Sequence, residues 1–341
     1  MRVVTSDADT RLADWLCANA GLHDVGIGGQ LAGGNANVTR LVTAREGRFV
    51  LRHPPTETVS DKAAAGISRE FAAISALADH APAPRPVAYC DDPQVIGQPF
   101  ALSEFVDGVT ITDAFPDAYG ADATAEIGRS LMETLGTIHR VDTAPLHAQG
   151  FGKPAGFARR QIERWLKVRA DNAVRDLPLL TEVGEWLLAT LPAEGSPAII
   201  HCDFHLDNCL AGRERPEVRA VIDWEMATLG DPLVDLGLCL FFWKRDPAAP
   251  LGFAFVQAIS NHSEAPGRAE MAEIWSLASG RDHAALAWHI VFSAWRLAAI
   301  VEGAWVLCAQ GKVSSDYARG LEYDVPNLLR EAATLVEEAA R

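Results

Sequence analysis

The chain has 341 residues, 49% of them hydrophobic and 22% charged, which is enough for two ordinary domains with cores of their own and excludes a disordered protein. Its formal charge of −15 argues against nucleic acid or an anionic membrane as main partner and would welcome a cationic substrate. Six scattered cysteines (Cys17, Cys90, Cys202, Cys209, Cys239 and Cys308) without disulfide-framework spacing, an N-terminus lacking the apolar core of a signal peptide, and no run of eighteen uncharged apolar residues lead us to expect a soluble, cytoplasmic protein.

From the N-terminus, residues 6–20 set Ala8, Leu12, Trp15 and Leu16 at helical spacing, with Ser6 and Asp7 at the start and Gly21 past the end. That is the pattern of a capped amphipathic helix. Between Val25 and His53, short runs broken by glycine predict three antiparallel strands joined by tight turns. The first turn, Ala32-Gly33-Gly34-Asn35-Ala36-Asn37, reads either as a plain hairpin turn or as a backbone nest for an anion. It does not match G-x-x-x-x-G-K-[ST], so a P-loop nucleoside triphosphatase is not indicated. Arg52 lies at the end of the third strand, where kinases place the lysine that holds the α and β phosphates. Ser60 to Ala78 predicts a helix with Ile67, Phe71, Ile74 and Leu77 on one face and Glu70 beside that stripe, placed to pair with Arg52. Two strands follow, PVAYC near residue 88 and PFALSEFVDG at 99–108. Beyond Gly108 the composition turns helical, with Ile127, Leu131, Leu135 and Ile138 forming a stripe over 126–141 and amphipathic segments near 155–171 and 177–192.

The densest chemistry lies between His201 and Asp235. The apolar Ile199-Ile200 runs into a polar loop, His201-Cys202-Asp203-Phe204-His205-Leu206-Asp207-Asn208, and a second buried-looking strand, Val218 to Ile222, ends on Asp223. Two carboxylates and an amide are expected at neighbouring strand tips. Phosphoryl transfer needs that set, one carboxylate to accept the attacking hydroxyl's proton and a second with an Asn to hold magnesium on the nucleotide phosphates. Asp203, Asp223 and Asn208 fit those roles. A zinc site from His201, Cys202, Asp203 and His205 is conceivable, but H-E-x-x-H and paired C-x-x-C spacings are missing. For Asp207, Asp231 and Asp235 backbone capping is the better reading; Asp231 precedes Pro232 as an N-cap precedes a first-turn proline. His201 and His205 read as braces of the loop.

The spacing from Asp203 to Asn208 equals the D-x-x-x-x-N separation of the protein-kinase catalytic loop. The full pattern, H-x-D-x-H-x-D-N, then V-I-D-W-E, then G-D-P-L-x-D-L, resembles the aminoglycoside phosphotransferase and choline kinase-like family of small-molecule kinases. The resemblance implies an α+β, bilobal protein-kinase-like fold, with a small antiparallel-sheet nucleotide-binding lobe over residues 1–107 and a larger, mainly helical catalytic and substrate-binding lobe over 108–341. It implies ATP and Mg2+ as cofactors and a small-molecule hydroxyl as acceptor. Asp203 would be the base, and Asn208 and Asp223 the magnesium ligands. Gly33, Gly34, Asn35 and Arg52 would hold the phosphates, and the backbone of Glu104, Phe105 and Val106 would meet the adenine. The chain departs from the family at Arg52, usually lysine, and at Cys202, usually glycine.

More narrowly, VLRHPP, VIDWEMATLGDPLVDLG and FSAWRLAAIVEG look like the branch related to the kinase domain fused to some acyl-CoA dehydrogenases, whose known chemistry includes phosphorylation of hydroxyacyl-CoA. A nucleotide-binding module without turnover and a true aminoglycoside phosphotransferase are the alternatives. After Asp235 the remainder reads as helical, with a long segment from Asp282 to Gln310 carrying Trp288, Trp295 and, two turns apart, His289 and Arg296. With Trp243, Trp275 and Trp305 these rings read either as core or as the walls of an acceptor pocket. One cation among apolar walls would suit a neutral or acidic acceptor better than a polycationic aminoglycoside. Oligomeric state has no signature in the sequence.

Overall fold

The computed structural model describes residues 6–31, 37–55, 61–245, 253 and 256–339. Two compact units emerge, Met1–Gly108 with Arg219–Ala227, and Val109–Val218 with Thr228–Arg341.

In the first unit, α1 (Asp7–Ala20) starts where the Ser6 hydroxyl accepts the Asp9 N–H at 3.1 Å and stops at Gly21, left-handed at φ 67°. An antiparallel sheet follows from β1 (Gly26–Gln30), β2 (Val38–Ala44), β3 (Gly47–His53), β4 (Pro86–Cys90) and β5 (Phe100–Glu104), in the order β1-β2-β3-β5-β4. Alternation decides its two faces. Phe49 and Leu51 of β3 join Val42, Phe100 and Leu102 in a cluster closed by Leu12 and Leu16 of α1, with Trp15 edge-on to Phe100 at 5.1 Å. Arg52, one residue on from Leu51, is set between Thr39 and Ala101 in the centre of the sheet and turns to the other face. There α2 (Asp61–Leu77) buries Ile67, Ile74 and Leu77 and carries Glu70. A short helix not expected from the sequence, α3 (Pro93–Ile96), is capped by Asp92, which accepts the Gln94 N–H at 2.8 Å.

The second unit holds α4 (Ala123–Ile138), α5 (Ala144–Ala148), α6 (Phe157–Asn172), α7 (Pro178–Ala189), β6 (Ala198–Ile200), β7 (Cys209–Ala211) and the start of β8 (Val218–Val221). It continues with β9 (Thr228–Gly230), antiparallel to β6, then α8 (Leu233–Phe242), α9 (Arg268–Ser279), α10 (Leu286–Ala309) and α11 (Asp316–Ala339). Val291, Phe292, Trp295 and Ala298 of α10 form the centre of its core, against Leu180, Leu187, Phe241, Leu321 and Leu328. α10 is long and apolar enough to cross a membrane, with a mean hydropathy of 1.6, but 56% of that stretch is buried inside the unit, as in a core helix.

Trp243, Trp288 and Trp295 follow the same logic, and of the two readings open to them the structure shows core. Trp295 is fully buried and donates to the Leu180 carbonyl at 2.7 Å, Trp288 donates to Thr190 Oγ1 at 3.2 Å, and Trp243 donates to the Pro266 carbonyl at 2.9 Å. A buried indole needs a partner for its N–H, and these have theirs inside the core. The segment Arg219–Ala227, far along the chain, belongs to the first unit rather than to the block that a single boundary after residue 107 would give. The Val221 N–H donates to the Pro82 carbonyl at 3.0 Å, and the segment then makes a 3-10 turn, Trp224–Met226.

Candidate active site

In the first unit the guanidinium of Arg52 forks between two carboxylates, with Nη1 on Glu70 Oε1 at 2.7 Å and Nη2 on Asp223 Oδ1 at 2.9 Å. Glu225 lies 3.9 Å from the same Nη2 and accepts Asn37 Nδ2 at 2.6 Å. Burial works against the charge on Arg52, but Glu70, Asp223 and Glu225 together hold it firmly protonated. Burial pushes the Glu70 carboxyl up to about 7 against the pull of Arg52. Three carboxyl groups thus gather around one cation, with Glu70 buried against it. Asp223 could offer its other oxygen to a metal: it is left-handed at φ 69°, its side chain is 34% exposed, and one of its oxygens serves Arg52.

In the second unit the polar loop after β6 brings Asp203 and Asn208 together. Asn208 Nδ2 donates to the Asp203 carbonyl at 2.9 Å and to Asp203 Oδ2 at 3.1 Å, so its own carbonyl oxygen is the atom it can offer a cation. His205 stands between two carboxylates, Nε2 at 3.6 Å from Asp203 Oδ1 and Nδ1 at 3.3 Å from Asp207 Oδ2. Burial alone would keep this imidazole neutral; the two carboxylates raise it to about 9. Desolvation likewise resists the charge on Asp203, but the hydrogen bond and charge of His205, with help from His201 and Asn208, bring it down to about 2. Asp203 is therefore an ionised carboxylate at any working pH, with a side chain 44% exposed to an incoming group.

The backbone under Asp203 is held by Asp235, read from the sequence as a backbone cap, and by residues whose part the sequence did not disclose. Asp235, fully buried, accepts the N–H of His201 at 2.6 Å and that of Cys202 at 2.8 Å. His139 Nδ1 accepts the indole N–H of Trp275 at 3.0 Å, so its proton is on Nε2, 3.4 Å from Asp235. Arg296 donates to the Cys202 carbonyl at 3.1 Å, and His289 bonds the Ala285 carbonyl of its own helix at 2.9 Å. Both are buried, which corrects their assignment to the acceptor. Gln257, left-handed at φ 53° and fully buried, accepts the Leu206 N–H at 2.8 Å and donates its own N–H to Asp207 at 2.9 Å. Capping is thus what Asp207 and Asp235 do, and Asp231 Oδ1 likewise accepts the Leu233 N–H at 2.9 Å. Cys202 has φ 69°, which accounts for the glycine usual there: the loop needs a left-handed residue, a conformation that costs a side-chain-bearing residue about 1 kcal/mol or more.

Glu104, Phe105 and Val106, expected to meet the adenine, differ among themselves. The N–H of Glu104 is used on the Arg85 carbonyl at 2.8 Å and that of Phe105 on the Arg48 carbonyl at 3.0 Å, so of the three only Val106 can lend an amide to a base. Gly33, Gly34 and Asn35 lie outside the described residues. No group of three or more His, Cys, Asp or Glu side chains among the described residues could hold a metal by itself, so the zinc reading has no site there. All six cysteines are free. Tyr317, in the first turn of α11, also went unnoticed in the sequence; its phenol is pushed up by burial and then by the charges of Asp324 and Asp203. It stands edge-on to Phe253, which leads through Phe242 to the His205 ring.

Residues 28–274 match the model of the phosphotransferase enzyme family. Human acyl-CoA dehydrogenase family member 11 is 32% identical over 295 residues, taking in 84% of this chain but 37% of that protein, so the chain spans little more than a third of that curated relative. A candidate aminoglycoside phosphotransferase from Ralstonia eutropha superposes with a TM-score of 0.79 at 26% identity, covering 95% of this chain and 98% of the other. The GDP complex of aminoglycoside 2'-phosphotransferase-IIIa shares the fold, with a TM-score of 0.61 at 17% identity and coverage of 95% and 98%. With a small antiparallel sheet, a larger helical part and a family match over most of its length, the chain belongs to the phosphotransferase enzyme family and has its kinase-like fold.

Proposed function

We propose that the chain is an ATP- and magnesium-dependent kinase acting on a hydroxyl of a small molecule. The observation that carries this reading is the ionised, half-exposed Asp203 fixed by Asn208 and His205. In the reaction the acceptor hydroxyl oxygen forms a bond to the γ-phosphorus as the bond from that phosphorus to the β-phosphate oxygen breaks. The hydroxyl proton passes to Asp203, and ADP leaves. Asn208 and Asp223 would hold magnesium, which neutralises charge on the β and γ phosphates. Arg52, kept charged and aimed by Glu70, would bind the phosphates, and Val106 would lend its amide to the base. The solved neighbour with bound GDP supports a nucleotide site.

For the acceptor, the name of the human relative favours a hydroxyacyl or other neutral or acidic compound over a polycation. Asp203→Asn tests the chemistry: turnover is expected to fall by ~10²- to 10⁴-fold, with nucleotide affinity, measured by calorimetry, kept within about threefold. Unchanged turnover would remove Asp203 from the mechanism. An ADP-release screen of hydroxyacyl thioesters against aminoglycosides tests the acceptor; kcat/KM at or above ~10⁴ M⁻¹s⁻¹ on kanamycin-type antibiotics would overturn that part.

A further inference from the structure

Away from the phosphotransfer machinery, the second unit contains a cavity of ≈ 400 Å³ among α6, α7 and α10. Sites for small organic ligands run from ~300 to 1,000 Å³. Trp165 and Val168 of α6, Leu180 of α7, and Ala299, Val306 and Leu307 of α10 give it apolar walls. Two cations also line it, Arg169 and Lys312. Arg169 is engaged only with the Arg175 carbonyl, and neither cation has a carboxylate partner among the described residues of a chain whose net charge is −15. The one carboxylate of the lining, Glu302, is already taken by Arg175, whose Nε lies 3.2 Å from each of its oxygens.

We propose that this cavity binds a small organic anion with an apolar body. The body lies against the tryptophan and aliphatic walls, and the anionic head faces Arg169 and Lys312. The proposal goes beyond the phosphotransfer reading and is tested without nucleotide, so either can fail alone.

The probe is decanoate, with decan-1-ol as its uncharged counterpart, titrated into the full chain by calorimetry below the micelle concentration. Gly303 lines the cavity, and a Cβ there would meet nothing within 4 Å, so Gly303→Leu fills open space and raises rather than lowers the helix propensity of α10. The expected result is saturable decanoate binding, about tenfold tighter than decan-1-ol, the effect of one charge-assisted hydrogen bond. Gly303→Leu should weaken decanoate at least ~10-fold at an undiminished melting temperature, as the side chain takes the ligand's volume. Lys312→Gln, at an exposed position, should reduce the preference for decanoate over decan-1-ol. Absence of decanoate binding, unaltered binding to Gly303→Leu, or equal affinity for acid and alcohol would each overturn the assignment.

Discussion

At Arg52 the choice between arginine and lysine is a matter of geometry, because one planar fork meets Glu70 and Asp223 at the same time. A lysine could point its single ammonium at one of them. Arg52→Lys should therefore lose one charge-assisted bond and weaken magnesium-nucleotide binding by ~10-fold, read by calorimetry. Arg52→Met is harsher, since it strands the Glu70 carboxylate in a buried position. Breaking such a pair costs ~3–5 kcal/mol, and that cost should appear in urea denaturation at pH 8 and shrink at pH 6. The reason is that Glu70, at about 7 even beside Arg52, is then protonated. Equal losses at both pH values would show that Glu70 is not the stranded charge. At Cys202 two effects oppose each other: glycine relieves the left-handed strain, worth ~1 kcal/mol, but costs ~0.5–1 kcal/mol in chain entropy. Cys202→Gly should thus stay near wild-type stability and turnover, whereas Cys202→Val, β-branched at φ 69°, should lose both.

At the scale of elements, the loop after β6 works because its backbone is tied from below, chiefly by Asp235 at the start of α8. Asp235→Asn keeps the shape but offers one acceptor where two N–H groups need one each, leaving a buried donor unmet at ~1–3 kcal/mol. Turnover should fall with little change in nucleotide affinity, since the Arg52 cluster is untouched; a loss confined to nucleotide binding would contradict this role. These ties mark the limit of what the sequence discloses. α1, the strands up to His53 and α4 were legible because periodic apolar residues and local caps state their own register, and Arg52 with Glu70 because strand and helix phase aim them at one face. Asp235 was legible as a backbone cap, but not which N–H groups it holds; the duties of Gln257 and Arg296 were not legible, since each bonds a backbone group far away along the chain, and a main-chain N–H or carbonyl leaves no mark in residue identity. The tryptophans were ambiguous for a related reason, since an aromatic stripe looks the same whether core or ligand covers it.

For the whole molecule these local charges combine into a pH profile with a definite sign. His205 titrates near 6.5 when unfolded and at about 9 in the fold, so its contribution is complete below pH ~6.5 and is lost as pH rises through 9. A shift of that size corresponds to ~3 kcal/mol. Glu70 acts in the same direction at lower pH, from its ordinary 4.5 to about 7, because the fold holds its proton more tightly than the unfolded chain does. Asp203 acts oppositely, its contribution being lost as pH falls toward 2. The protein should therefore be most stable near pH 4, lose stability through Glu70 from about pH 4.5 to 7 and through His205 from about 6.5 to 9, and show in urea denaturation several kcal/mol less stability at pH 9 than at pH 6. Self-repulsion in a chain of −15 gives a similar trend on its own, so the variant decides the cause. His205→Gln keeps the overall charge effect but removes the titrating ring, and should flatten the profile between pH 6.5 and 9. Cys209 and Cys239, pushed up by burial, remain thiols through that window and do not blur it. A wild-type profile already flat there would mean that His205 is not held as a cation between Asp203 and Asp207.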